Sequence, residues 1–327
     1  MPTLFTSRGF FERAAAELAR IERDAGVAIE RIAVPDEPLD AGGLARLEIA
    51  FFANDLIGSG ARRFYGAVRR APQLRWLHVA HAGVDAPIYA ELLTREGLRL
   101  TTSSGDAAVP IAQTAITGLL MLARGFPRWL DAQRRHAWET HDASPLPRDV
   151  AGQTLVVVGL GAIGNELARL GRALGLHVIG VRRSPRRAGD HVDALEPPSA
   201  LPALYPRADW LALACPLTDE TRGLIDAAAL DALPRGACVL NVARGEVVDE
   251  AALIERLQSG HLGGAYLDVF AQEPLPAESP LWALPNVIVT PHDSSASAGY
   301  RARTDARFLA NLERYLRGEP LDQEVGR

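Results

Sequence analysis

In mid-chain an apolar run, Thr154-Leu155-Val156-Val157-Val158, breaks directly into Gly159-Leu160-Gly161-Ala162-Ile163-Gly164. Leu155 to Val158 show no polar alternation, which is the pattern of a parallel strand covered on both faces. Ile163, Leu167, Leu170 and Leu174 then recur at helical spacing. A strand, a G-x-G-x-x-G turn and a helix in immediate succession restrict the chain to a doubly wound α/β architecture. Gly159 permits the tight turn, and Gly164 lets helix and strand pack closely. Gly161 lets a pyrophosphate reach the helix N-terminus, where the amides of Ala162 and Ile163 begin. The reading is a dinucleotide site; a glycine turn that serves packing alone is the alternative.

The next strand candidate, His177-Val178-Ile179-Gly180-Val181, ends about twenty residues beyond the glycines, where an Asp or Glu would take the hydroxyls of an NAD ribose. The chain instead reads Arg182-Arg183-Ser184-Pro185-Arg186-Arg187. Guanidinium groups grip phosphate in a bidentate manner, so Arg182, Arg183 and Ser184 point to the 2′-phosphate of NADP(H). NAD(H) remains possible, because a solvated basic loop is the plainer account of the same residues.

The chain has 327 residues, 48% of them hydrophobic, enough for two ordinary domains. Net charge is −5, which offers no broad attraction to nucleic acid or an acidic membrane surface. Cys215 and Cys238 lack C-x-x-C or zinc-ligand spacing, so no metal is expected and a reducing cytoplasm suits them. The N-terminal residues Met1 to Arg8 lack a signal-peptide pattern, and no apolar stretch reaches membrane-spanning length. These features lead us to expect a soluble, cytoplasmic protein.

Strand candidates at 29–34, 47–52, 74–79 and 98–102, with a helix over 10–24, predict a first α/β lobe. A long helical stretch runs from about Pro110 to Trp138, followed by a turn-rich segment, Asp142 to Pro147. The second lobe continues through strand candidates at 210–215, 237–242, 265–270 and 287–290. A last amphipathic helix from about Ala296 carries Phe308, Leu309, Leu312, Tyr315 and Leu316 on one side, a face suited to the first lobe. The expected domains are therefore 1–102 plus 296–327, and 103–295.

In such sheets ligands bind outside the carboxyl ends of the strands. Four polar groups fall there in turn: Cys215-Pro216, Arg244-Gly245, Asp268 with Glu273, and His292. Each has an ordinary alternative, Arg244 as a surface cation, Glu273 as a solvated loop acid and His292 as a helix cap. Their shared placement favours an Arg, Glu and His set beside a nicotinamide.

These residues, read with Cys215 to Thr221, Asn241 to Gly245, Leu267 to Pro274 and Thr290-Pro291-His292, resemble the D-2-hydroxyacid dehydrogenases. The resemblance covers the whole second lobe in order. It is looser in the first lobe, through Leu74 to Leu77 and Ala82-Gly83-Val84-Asp85. It implies two Rossmann-like lobes with parallel sheets, a discontinuous substrate lobe, an active site in the interlobe cleft, and a homodimer. It further implies that Arg244 clamps the substrate carboxylate, His292 is the acid/base, and Glu273 is its carboxylate partner. Asp268 and the Ala243 carbonyl would hold the nicotinamide carboxamide, with Cys215, Pro216 and Thr221 along the cofactor. Amides of Ala82 and Gly83 would grip the substrate carboxylate.

Two departures from the family pattern stand out. Gln113 lies where many members have His after an acidic residue, and Asp293 follows His292, most simply as a cap for the next helix. His81 could face substrate or be an ordinary loop residue, and Asn54, Asp55, Leu56 and Trp138 are further pocket candidates. The chain ends at Arg327 soon after its last helix, without the regulatory domain of many phosphoglycerate dehydrogenases of the family. The expected reaction is NADPH-linked reduction of a small 2-keto acid such as glyoxylate or hydroxypyruvate. The alternatives are a corepressor-like cofactor sensor, or an NAD-dependent phosphoglycerate-type dehydrogenase.

Overall fold

The computed structural model describes residues 1–141 and 146–326, so most of the turn-rich segment expected over Asp142 to Pro147 lies outside the described residues. The chain divides into two compact units, Met1–Ala107 with Ser297–Arg327, and Ala108–Ala296. Each is built on a wholly parallel sheet.

The larger unit holds seven strands: β6 (Thr154–Val158), β7 (His177–Val181), β8 (Ala194–Glu196), β9 (Trp210–Leu213), β10 (Cys238–Asn241), β11 (Gly264–Leu267) and β12 (Val287–Val289). Their order is β12-β11-β10-β9-β6-β7-β8, so the winding reverses between β6 and β9. The apolar run of β6 is explained by its two neighbours: Val156 and Val158 enter one core, while Leu155 and Val157 enter the core on the opposite face. Both faces being dry, Leu155 to Val158 are all apolar, and the one polar residue, Thr154, sits at the half-buried start of the strand. The glycine helix follows as Ala162–Ala173, burying Leu167 and Ala168.

The smaller unit holds β1 (Thr3–Thr6), β2 (Glu30–Ala33), β3 (Ile49–Phe52), β4 (Trp76–Val79) and β5 (Arg99–Thr102), in the order β2-β1-β3-β4-β5. Leu77 and Val79 face one core and Trp76 the other. The final helix, Tyr300–Leu316, lays Phe308 flat on Phe51, with ring centroids 4.3 Å apart, and stacks it on Trp76 at 5.2 Å. That contact belongs to the same compact unit and ties the last residues of the chain to the first.

Several elements depart from the sequence reading. The helix expected over 10–24 is two, Arg8–Arg13 and Ala15–Ala25, sharing Ala14 as the cap of both. The long helix expected to reach Trp138 is also two, Ala108–Ala123 and Phe126–Arg134, bent by 77°. Gly125, left-handed at φ +71°, makes the break. No single helix among the described residues is long and apolar enough to cross a membrane.

Candidate active site at the carboxyl ends of the nucleotide sheet

The turn after β6 sits at the reversal point of the sheet. Gly159 has φ +94°, and a Cβ there would lie 2.5 Å from the backbone nitrogen of Cys215, which follows β9. A Cβ on Gly164 would lie 2.0 Å from the Gly159 carbonyl oxygen. These two glycines are required by close packing. Gly161 differs, since a Cβ there would meet nothing within 4 Å. The open space lies over the N-terminus of a twelve-residue helix whose first bond runs from Asn165 N–H to the Gly161 carbonyl. The amides of Ala162 and Ile163 precede that bond and find no acceptor among the described residues. An open glycine before unbonded helix amides fits a pyrophosphate.

The two arginines after β7 have different tasks. All five N–H groups of Arg182 are consumed: Nε by the Ser184 carbonyl, and the terminal nitrogens by both Asp190 oxygens at 2.9 and 2.7 Å and by the Leu160 and Pro185 carbonyls. The pair is well buried, with side chains 12% and 5% exposed, and the Arg182 guanidinium holds the Asp190 carboxyl below its ordinary value. The expectation that Arg182 grips a 2′-phosphate is corrected here, because its donors brace the 182–190 loop. Arg183 is exposed and makes a 3.2 Å ion pair with the equally exposed Glu220. Ser184 is partly exposed beside it.

After β9, burial pushes the Cys215 thiol up to about 11. Pro216 offers its carbonyl to the Thr221 hydroxyl at 2.7 Å, and the same hydroxyl accepts from Thr218 N–H at 2.8 Å. Thr221 thereby fixes the turn that carries these residues.

The Arg244 turn is braced by a residue to which the sequence reading gave no role. Asn241, 1% exposed at the end of β10, accepts from Ala243 N–H and donates to the Arg244 carbonyl, both at 3.0 Å. Arg244 donates to the Ala243 carbonyl at 2.8 Å, the oxygen expected to meet the carboxamide. A Cβ on the adjoining Gly245 would lie 1.8 Å from the Phe270 carbonyl carbon, so only glycine lets this turn abut the loop that leads to Glu273.

Glu273 and His292 meet directly, Nδ1 to Oε2 at 2.7 Å, with side chains 36% and 46% exposed. The other Glu273 oxygen accepts from Phe270 N–H at 3.0 Å, which fixes the carboxylate. Since a carboxylate only accepts, Nδ1 carries the proton of this bond, and Nε2 faces outward with no partner among the described residues. The geometry is that of an oriented imidazole with one nitrogen available to a ligand.

His292 itself is left-handed, at φ +51°. Its amide donates to the Asp268 and Thr290 carbonyls at 2.8 and 3.0 Å. The Asp268 carboxylate, 2% exposed, accepts from the Thr290 hydroxyl at 2.7 Å and Asp293 N–H at 3.1 Å, and from the amide and hydroxyl of Ser294. Asp268 therefore ties down the His292 turn, where the sequence reading had it holding a carboxamide. Asp293 caps no helix: the next begins at Tyr300 behind Gly299.

In the smaller unit, three pocket candidates serve the fold. Asn54 donates to the Thr304 hydroxyl at 2.7 Å, Asp55 accepts from Ser7 and Arg13, and Leu56 is buried in the core. Asn54 and Asp55 follow β3 at the reversal point of their own sheet, and the final helix occupies it. Trp138 is 97% exposed. Ala82 and Gly83 lie in the loop after β4 beside His81, whose Nδ1 is 2.9 Å from the Gly83 carbonyl.

Comparison with known proteins identifies the family. Residues 116–294 match the family model of the D-isomer specific 2-hydroxyacid dehydrogenase NAD binding domain. A glyoxylate reductase of Aeropyrum pernix is 34% identical over 257 residues, covering 76% of each chain. A D-3-phosphoglycerate dehydrogenase of Methanocaldococcus jannaschii is 29% identical over 290 residues; that match covers 87% of this chain but only 54% of the relative, about half its length. Among solved structures, a D-isomer specific 2-hydroxyacid dehydrogenase of Xanthobacter autotrophicus in complex with NADPH and MES has a TM-score of 0.75 at 32% identity, covering 99% of this chain and 98% of that one. With an NAD binding domain matched in sequence and the whole chain matched in structure, this protein belongs to the D-isomer specific 2-hydroxyacid dehydrogenases, NAD(P)-dependent oxidoreductases of the CH–OH group.

Proposed function

We propose that the protein reduces a small 2-keto acid, of the glyoxylate or hydroxypyruvate kind, to the D-2-hydroxy acid with NADPH. The observation that carries the reading is the 2.7 Å contact of His292 with Glu273, which commits Nδ1 and leaves Nε2 for the substrate oxygen. Bound at the glycine turn, NADPH would supply the hydride. The residues then divide the remaining work. As imidazolium, protonated on both nitrogens, His292 gives its Nε2 proton to the keto oxygen during reduction and is left neutral with Nδ1–H; in the reverse direction the neutral ring takes that proton back. Glu273 holds the ring in the required tautomer. Arg244 pairs with the substrate carboxylate through a planar fork, which fixes the keto carbon in one orientation. We assign the second grip on that carboxylate to the Ala82 and Gly83 amides.

The NADPH preference is supported by the lack of an acidic residue directly after β7, by the exposed Arg183 with the partly exposed Ser184 beside it, and by NADPH in the Xanthobacter relative. The Aeropyrum relative's name supports a small substrate. The Methanocaldococcus relative's name favours a second reading, NAD-linked oxidation of a phosphorylated hydroxy acid. We also assign the protein to the cytoplasm, a reading with which its two buried free cysteines agree, and to a homodimer on the family resemblance alone. Initial rates with NADPH and NADH across glyoxylate, hydroxypyruvate, pyruvate and phenylpyruvate test the proposal, with 3-phosphoglycerate plus NAD as the opposing arm. Turnover confined to the last pair would reverse it.

A further inference from the structure

The loop after β4 carries a chain of hydrogen bonds whose direction can be deduced. The Gly83 carbonyl can only accept, so the proton in its 2.9 Å contact sits on His81 Nδ1. In the neutral ring Nε2 then accepts, and the Tyr89 hydroxyl, 2.9 Å away, donates to it. With the Tyr89 proton used, the Tyr65 hydroxyl donates in turn to the Tyr89 oxygen. Burial raises the pKa of both phenols, so the protons needed for this order stay in place. The ring of His81 is also walled in edge-on by Phe52 and Tyr89, with centroids 6.0 and 5.7 Å away.

The near end of the loop is pinned as well. Tyr300 donates its hydroxyl to the Ala80 carbonyl at 2.6 Å, and Ser103 N–H donates to the His81 carbonyl at 3.2 Å. Between this anchor and the helix Pro87–Leu93, the amides of Ala82, Gly83 and Val84 have no acceptor among the described residues. Three successive amides without acceptors leave donors that an anionic group can satisfy. Because a trans peptide sets its N–H opposite its carbonyl, turning the Gly83 carbonyl toward His81 turns the Val84 N–H away from the ring.

We propose that His81, Tyr89 and Tyr65 are positioning residues for substrate: they lock the Gly83–Val84 peptide so that Val84 N–H joins Ala82 and Gly83 as a third donor to the substrate carboxylate. This rests on the reading that the loop takes that carboxylate. The chain acts on ground-state grip and not on proton transfer, so its loss raises KM for the keto acid and spares kcat.

The test compares wild type with Tyr89→Phe, His81→Leu and His81→Asn, by steady-state kinetics with glyoxylate and by the amide NMR shifts of residues 82–84, which move when the Gly83–Val84 peptide turns. Losing one such hydrogen bond is expected to raise the glyoxylate KM about fivefold in Tyr89→Phe and about tenfold in His81→Leu. kcat should stay within about twofold and KM for NADPH should not move, as expected for lost uniform binding. His81→Asn, whose amide can still donate to the Gly83 carbonyl, should recover to within about threefold of wild type. The amide shifts of 82–84 should move in His81→Leu and less in His81→Asn. Unchanged shifts in all variants overturn the proposal, as do moved shifts with an unchanged glyoxylate KM, or kcat falling in step with KM. A wild type that turns over no 2-keto acid overturns the proposed function instead, and the shifts then decide the peptide lock alone.

Discussion

Two histidines in this chain occupy opposite kinds of surroundings. His78 lies within β4, fully buried, with Nδ1 2.7 Å from the Thr101 hydroxyl and Nε2 3.1 Å from that of Ser103. Burial, with a lesser contribution from the charge of Arg307, pushes its pKa down to about 3. Both ring nitrogens are consumed by neutral hydroxyls, and the ring is held neutral inside the fold. His292 stands in an exposed turn after β12, faces one carboxylate, and keeps one nitrogen for a ligand. The same side chain is thus a core polar group in one unit and, in our proposal, a proton carrier in the other. Solvent access and the charge of the partner decide which, more than the hydrogen bonds themselves.

The contrast is broken most severely by removing each ring in turn. His292→Ala should lower kcat by about a hundred- to ten-thousandfold while the Kd for NADPH, read by fluorescence titration, stays the same. His78→Gln should leave kcat within about twofold; an equal loss in the two variants would abolish the distinction. The Arg244→Lys change comes next. It replaces a planar fork by a single charge, and kcat/KM for glyoxylate should fall about ten- to a hundredfold. If only cofactor affinity changed, the clamp role would be wrong.

A smaller effect separates the two arginines after β7. Arg183→Ala should cut the ratio of kcat/KM for NADPH over NADH by about tenfold, as for one lost charge-assisted contact. Arg182→Ala should weaken both cofactors alike and lower the melting temperature, because it releases the loop and leaves Asp190 buried without its partner. A selective loss of NADPH in Arg182→Ala would reverse the assignment.

The smallest effect is on stability against pH. The folded pKa of His78 lies below the unfolded value near 6.5, so between about 6.5 and 3 the unfolded chain binds the extra proton. Stability must therefore fall as pH drops through that window, by about 1.4 kcal/mol per unit from this group. Urea titrations at pH 7, 6 and 5 should show wild type losing about 2 kcal/mol more than His78→Gln by pH 5. Parallel pH dependence in the two proteins would place the sensitive group elsewhere.

The two units were also unequally legible in the sequence. The glycine turn, the strands around it and the meeting of Glu273 with His292 could be read because the larger unit carries short local motifs. Much else depends on partners far along the chain. Thr3–Thr6 is a fully buried inner strand of its sheet, yet four residues of mixed character carry no periodic signal. Arg182 looked like a phosphate ligand because its tie to Asp190, eight residues later, is made only once the loop closes. Asp268 stood at a strand end as expected, but its grip on Thr290 and Ser294 requires β11 and β12 to be neighbours. Tyr65, Tyr89 and His81 are joined only by tertiary packing.

The central claim is that this site carries NADPH-linked reduction of a small 2-keto acid. It is tested most directly by the loss of NADPH absorbance when purified protein meets glyoxylate and hydroxypyruvate, with NADH run in parallel. The account predicts turnover with at least one of these acids and a higher kcat/KM with NADPH than with NADH. NADPH binding without turnover of either acid, or turnover confined to NADH, would contradict it.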